Sequence, residues 1–213
     1  AFDADPVVIP GALRRPPDAV AACGRELDAW RTVVVYCVHG HEVSQQAAQT
    51  LMAQGLDARM LAGGITGWRE QGGDVVPFAP PTRWVTRARP KIDRIACPWL
   101  VRRFIDPSAV FFYVPNPEVR AFAAAQGAVP FDIPDVPYSH VGDQCSFDAF
   151  IRIHALHDPA LADLATIVRG ADTGALSLAA EASGLLAVSL GLSAMFADDQ
   201  AMLRAGLLVY DAL

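Results

Sequence analysis

The sequence predicts two successive domains: an α/β unit built on a parallel sheet with flanking helices, then a second α+β unit rich in helices. Three observations carry this. From Thr32 to Gln71, β-branched strand-like runs alternate with helix-like segments. A proline-rich stretch, Val75-Val76-Pro77-Phe78-Ala79-Pro80-Pro81, then interrupts the chain, because it can neither continue a helix nor enter a central strand. Beyond it, strand-like runs give way to alanine- and leucine-rich segments with apolar residues at helical spacing, as at Met202, Leu203, Leu207 and Leu208.

The elements follow in order. Thr32-Val33-Val34-Val35-Tyr36 reads as a buried parallel strand, Val38 to Glu42 as a loop, and Val43 to Leu51 as a helix. Ala58 to Leu61 is another short strand, Gly63-Gly64 a turn that permits positive φ, and Ile65 to Gln71 a helix burying Trp68. These place a first domain at 1–76, a linker at 77–83 and a second domain at 84–213. In the second, strands are expected at Trp84–Arg87, Val110–Val114 and Val129–Ile133, and helices at Pro98–Ile105 and Glu118–Gln126. A loop runs through Asp143, and further helices are expected near 147–157, 159–169, 176–194 and 198–212, with Leu185 to Phe196 buried.

Cys37 sits where the first strand meets its loop. A strand running through a short loop into a helix aims backbone N–H groups and the positive end of the helix dipole at the cysteine. Such surroundings lower a thiol pKa, and the thiolate is the nucleophile. The plain alternative is a small hydrophobe at a strand end. A cysteine phosphatase needs an arginine six positions after the cysteine to fork onto phosphate; that position is Val43, which argues against the class.

Three stretches decide between the readings: Ile9-Pro10-Gly11-Ala12, the Cys37 loop, and Leu61-Ala62-Gly63-Gly64-Ile65-Thr66-Gly67-Trp68. In this order and spacing they resemble the rhodanese-type sulfurtransferases. The resemblance implies a persulfide on Cys37, a thiosulfate-like sulfur donor, a thiol acceptor and no required cofactor, with Val38, His39, Gly40, His41, Glu42 and Val43 as the active-site loop. Rhodaneses often carry arginine where Val38 and Glu42 stand here. With His39 and His41 as the loop's titratable cations, donor binding is expected to weaken as pH rises through the histidine range. A complete rhodanese domain has a further strand and helix, and an Asp-x-Arg strand, ahead of Ile9. Only eight residues precede it here, so a sheet lacking its N-terminal strands is expected.

In the second domain, Asp93 to Asp106 and His140 to Asp148 carry unusual chemistry. Pro98 suits the first position of a helix and Ser146 an N-cap, which would set Cys97 and Cys145 at helix N-termini, poised toward thiolate. Seven basic residues against the single acid Asp93 lie between Arg83 and Arg103, and include Lys91, the chain's one lysine. Arg94, Cys97, Arg102, His140, Asp143 and Cys145 form a candidate site for an oxyanion, or for a metal at His140 and Cys145. The plain alternative is a solvated basic face with internal ion pairs. His154 and His157 read as surface or capping residues. The two segments resemble the C-terminal domain of ChrB-type chromate resistance proteins from about Trp84 to the chain end. That resemblance implies a role in the response to chromate, and chromate or sulfate as a ligand.

The 213 residues are 53% hydrophobic and 19% charged, enough for two small cores. A net charge of −6 argues against a nucleic-acid or membrane-surface binder, which needs a basic footprint. No apolar run approaches the ~20 residues of a transmembrane helix. Cysteines at 23, 37, 97 and 145, with no CxxC pair, suit a reducing cytoplasm rather than a disulfide framework. The sequence thus predicts a cytoplasmic, bacterial sulfurtransferase module joined to a chromate-resistance domain. The alternative is a rhodanese-like binding or sensing module without turnover, joined to a metal- or oxyanion-binding domain.

Overall fold

In the computed structural model, which describes residues 2, 5–24, 27 and 31–213, the chain divides between Pro80 and Pro81 into two units. The first holds β1 (Val7–Val8), α1 (Val20–Cys23), β2 (Val33–Val35), α2 (Glu42–Ala53), β3 (Ala58–Met60), α3 (Gly64–Glu70) and β4 (Val76–Pro77). Strands β2 and β3 pair in parallel, with Val33 opposite Ala58 and Val35 opposite Met60, so α2 is the crossover. Leu51, Leu56 and Ala58 form the buried centre, with Val33 and Val35 packed on it. Val34 points the other way and is 56% exposed, so β2 is covered on one face and is not the fully buried strand expected. Trp68 is half-buried, not core; its indole N–H donates to the Asp74 carbonyl at 2.8 Å.

The proline-rich stretch is partly structured. Val76–Pro77 pairs antiparallel with Val7–Val8, and the Phe78 amide donates to the Pro6 carbonyl. Proline is tolerated there because the pair has only two strands and both are edges. On the far side, Thr82 donates through its amide and hydroxyl to Asp106. The expected linker at 77–83 therefore shrinks to the residues between these anchors.

The second unit opens as β–α–β–α–β: β5 (Arg83–Arg87), α4 (Asp93–Leu100), β6 (Val110–Val114), α5 (Val119–Gln126) and β7 (Val129–Pro130). Both outer strands run parallel to the central β5. Four α-helices follow, α6 (Ser146–Ile153), α7 (Pro159–Thr173), α8 (Ala182–Met195) and α9 (Asp199–Ala212). The main core joins Trp84, Phe111 and Phe131 near the sheet to Leu100, Phe147, Phe150, Val168 and Met202 on the helices.

Three helix starts differ from expectation. Helix α4 begins at Asp93, not Pro98, and holds Pro98 inside it. A proline there lacks the N–H that would bond to the Arg94 carbonyl. The Tyr113 hydroxyl from β6 takes that place, donating to the Arg94 carbonyl at 2.8 Å. The helix then loosens into a π turn over Val101–Ile105, where the Asp106 amide reaches back to the Val101 carbonyl. Helix α6 has Cys145, not Ser146, as its N-cap residue, because the Ser146 hydroxyl is engaged by Asp132. Helix α8 starts at Ala182, and the stretch expected to be buried covers only one face: Val188, Leu190 and Met195 are exposed. Among the described residues no helix is long and apolar enough to cross a membrane.

Candidate functional site

The Cys37 loop is fixed by the first turn of α3. The amides of Ile65 and Thr66 donate to the carbonyls of Cys37 and Val38, each at 3.0 Å. This close approach needs glycine on both sides. Gly40 (φ 72°) and Gly64 (φ 58°) lie in the left-handed region, and a Cβ on Gly64 would stand 2.3 Å from the Cys37 carbonyl oxygen. The Gly-Gly pair is thus part of the loop's support.

The thiol itself faces the start of α2. Cys37 Sγ lies 3.3 Å from Ser44 Oγ, which also sits 2.9 Å from the His41 carbonyl oxygen. The hydroxyl has one proton, so it can donate to the carbonyl beside a neutral thiol or turn it onto a thiolate. Burial pushes the Cys37 pKa up, but the Ser44 hydroxyl and the backbone N–H groups of His41, His39 and Ser44 outweigh it and bring the pKa down to about 7. A substantial thiolate fraction therefore exists at neutral pH. His39 Nδ1 lies 3.3 Å from Thr66 Oγ1, and the two loop imidazoles lie 5.8 Å apart, ring to ring. Val38 is half-buried, while Glu42 and Val43 are exposed.

A second constellation lies in the other unit. His140 Nε2 is 3.2 Å from an Asp172 oxygen and 3.4 Å from one oxygen each of Asp93 and Asp132. Asp93 opens α4, Asp132 follows β7, His140 lies in the loop before α6, and Asp172 lies in the last turn of α7. Ser146, the first residue of α6, ties two of them: its amide donates to Asp93 at 2.6 Å and its hydroxyl to Asp132 at 2.9 Å. Arg87 and Arg94 both pair with Asp132, at 2.7 and 3.3 Å.

Backbone strain marks the same place. Ile92 has φ 32° and Asp132 φ 51°, conformations that cost energy for these residues and persist only when their surroundings hold them. Ile92 is held by Ser189 Oγ at its amide and by the Tyr210 hydroxyl at its carbonyl.

The charges follow from these contacts. Bonds to Asp132 and Asp93 raise the His140 pKa to about 10 against a smaller effect of burial. Burial raises Asp93, and burial together with the Asp93 and Asp132 charges raises Asp172 to about 7. Asp132 is buried too, yet its bonds to His140, Arg87 and Ser146 keep it below the usual carboxylate range.

A family model described as ChrB, C-terminal domain, matches residues 84–213, and a Rhodanese-like domain model matches residues 7–71. The chain belongs to the ChrB C-terminal domain family. It carries a rhodanese-like domain ahead of that ChrB domain. Protein ChrB of Cupriavidus metallidurans is 35% identical over 144 residues, which cover 65% of this chain and 43% of that protein. The chain spans less than half the length of that relative. No solved structure matches.

Of the six residues singled out in the ChrB domain, the structure brings Arg94 and His140 together at the carboxylates. Cys97 lies inside α4, not at its start, and Cys145 caps α6; both are fully buried in the core. Burial, joined by the Asp93 charge, raises both pKa values, so neither is poised toward thiolate. Cys145 is also not among the ligand atoms that converge with His140; these come from Asp93 and Asp172. Arg102 lies by the Ala109 carbonyl and over the Phe111 ring, and Asp143 is an exposed turn residue. Arg94 spends its guanidinium on Asp132 and on the carbonyls of Arg87 and Ala88. Much of the basic stretch is paired in the same way, with Arg89 on Asp199 and Arg103 on Asp211. His154 ends α6 as its C-cap, 3.1 Å from the Tyr138 hydroxyl.

Asp132, Asp172, Arg87 and Ser146 escaped the sequence reading as site residues, and Asp93 entered it only as the lone acid among basic residues. A positional signal existed for Asp93 alone, as an acid just ahead of an apolar helical run. Asp172 lies 32 residues after His140 in an ordinary helical pattern, and only the packing of α7 brings it in.

Proposed function

We propose that the rhodanese-like domain is a sulfurtransferase that carries sulfane sulfur on Cys37, and that with the ChrB domain it serves the response to chromate or a related oxyanion in the cytoplasm. The observation that carries this reading is the set of four donors around Cys37 Sγ, one hydroxyl and three backbone N–H groups, which favour the anion. The Cys37 thiolate attacks the outer sulfur of a thiosulfate-like donor; the new S–S bond forms as the donor's S–S bond breaks, and sulfite leaves with the electron pair. The same donors then hold the Cys-S-S⁻ anion until a thiol or cyanide removes its outer sulfur and returns the thiolate. All four cysteines are free, which suits a reducing compartment. The chromate context rests on membership of the ChrB family.

A second reading, a binding or sensing module without turnover, is favoured by exposed Glu42 at the loop exit, which repels an anionic donor. Thiocyanate formation from thiosulfate and cyanide distinguishes them. Turnover that disappears in Cys37→Ser, with the circular dichroism spectrum unchanged, is the expected result; no turnover by the wild-type chain favours the binding module.

A further inference from the structure

Three carboxylates converge on one imidazole nitrogen in the ChrB domain, and the geometry leaves them underserved. A single N–H can satisfy one acceptor well, yet all three stand at 3.2–3.4 Å, beyond the 2.7–2.9 Å usual for a charge-assisted bond. Asp93 is only 1% exposed, and although its Oδ2 accepts from Ser146, its Oδ1 is buried with no hydrogen-bond partner. A buried acceptor left bare in this way costs about 1–3 kcal/mol.

The arrangement of the partners points the same way. Arg87 and Arg94 are both committed to Asp132, which accounts for that carboxylate. Two carboxylates, Asp93 and Asp172, remain beside one imidazole, and one ligand atom from each of these three residues lies within 4.8 Å of the others. A dication entering here displaces the imidazole proton and meets two carboxylate oxygens and a neutral nitrogen.

We propose that Asp93, His140 and Asp172 bind one divalent first-row transition cation, with Asp132 and Ser146 holding the ligands in place. The oxygen and imidazole donors suit Mn²⁺, Fe²⁺ or Zn²⁺, whereas Mg²⁺ and Ca²⁺ prefer all-oxygen sites and soft Cu(I) prefers sulfur. Three protein ligands leave coordination positions open for water or an oxyanion. His140, with a side chain 41% exposed, is the outer ligand, and Asp93, 1% exposed, the inner one. The site is independent of the sulfur chemistry proposed at Cys37.

The test uses the full chain, freed of metal with a chelator and titrated calorimetrically with MnCl₂, ZnCl₂ and MgCl₂. His140→Gln and Asp172→Asn serve as variants because both side chains are partly exposed, and circular dichroism checks their fold. Binding of one equivalent of Mn²⁺ or Zn²⁺ is expected, weakened at least about tenfold in each variant and unchanged in Cys37→Ser. The melting temperature of the wild-type chain is expected to rise with that metal, and those of the variants to rise less. No binding, binding of Mg²⁺ alone, equal binding by both variants, or binding lost only in Cys37→Ser would each overturn the proposal.

Discussion

Cys37 and Ser44 form the smallest unit on which function depends. The Ser44 residue is nearly inaccessible to solvent and its hydroxyl stands 3.3 Å from the sulfur, so its one proton can turn from the His41 carbonyl onto the thiolate without movement of the side chain. The thiolate fraction rises as pH rises through about 7, and the rate of alkylation by iodoacetamide is expected to follow it with that midpoint. Ser44→Ala removes one donor that favours the anion, so the midpoint should move upward by about one pH unit. An unmoved midpoint would show that the backbone N–H groups alone tune the thiol. At this scale the sequence was informative, because Cys37, its loop and the helix start are contiguous. Cys97 and Cys145 were misread for the same reason turned round: their burial is decided by elements far away in the chain, which no local pattern reports.

At the scale of elements, two supports deserve separate tests. The docking of the Cys37 loop on the first turn of α3 depends on backbone meeting backbone at Gly40 and Gly64. Gly64→Ala places a side chain against the Cys37 carbonyl in a left-handed conformation, and is expected to cost about 1–3 kcal/mol in urea unfolding and to abolish persulfide formation. Full activity and stability in that variant would mean the turn does not hold the loop. The second support is the Tyr113 hydroxyl on the Arg94 carbonyl. Tyr113→Phe keeps the ring but strips that carbonyl of its partner, with an expected loss of about 1–3 kcal/mol by the same measurement; a neutral result would show that the bond is replaceable.

The strand–loop–helix order of the first unit and the strands of the second were readable from periodicity and glycine placement. The start of α4 was not. Proline at a first helical position is a sound local rule, and the hydroxyl that rescues an interior Pro98 comes from the next strand. Ser146 is a similar case, since its hydroxyl goes to Asp132 instead of capping a helix. Strand β2 was read as fully buried from its valines, but a two-stranded pair covers only one of its faces.

Across the whole molecule, the proposed sulfur chemistry lies in one unit and the proposed cation site in the other, each assembled from its own residues. Asp172→Asn is therefore expected to leave sulfur loading of Cys37 at the wild-type level. Loss of sulfur loading in that variant would mean that the two sites are coupled. The His140 cluster also marks the limit of reading by sequence. Its four titratable residues span 80 positions of the chain, from Asp93 to Asp172, and only the packing of α4 and α7 beside the sheet makes them neighbours.

Intact-protein mass spectrometry after thiosulfate treatment reads directly whether Cys37 carries sulfur. One added sulfur, removed by cyanide, mapped to Cys37 and absent from Cys37→Ser, is the expected result. No added sulfur on the folded wild-type chain, or the same addition on Cys37→Ser, would contradict the account.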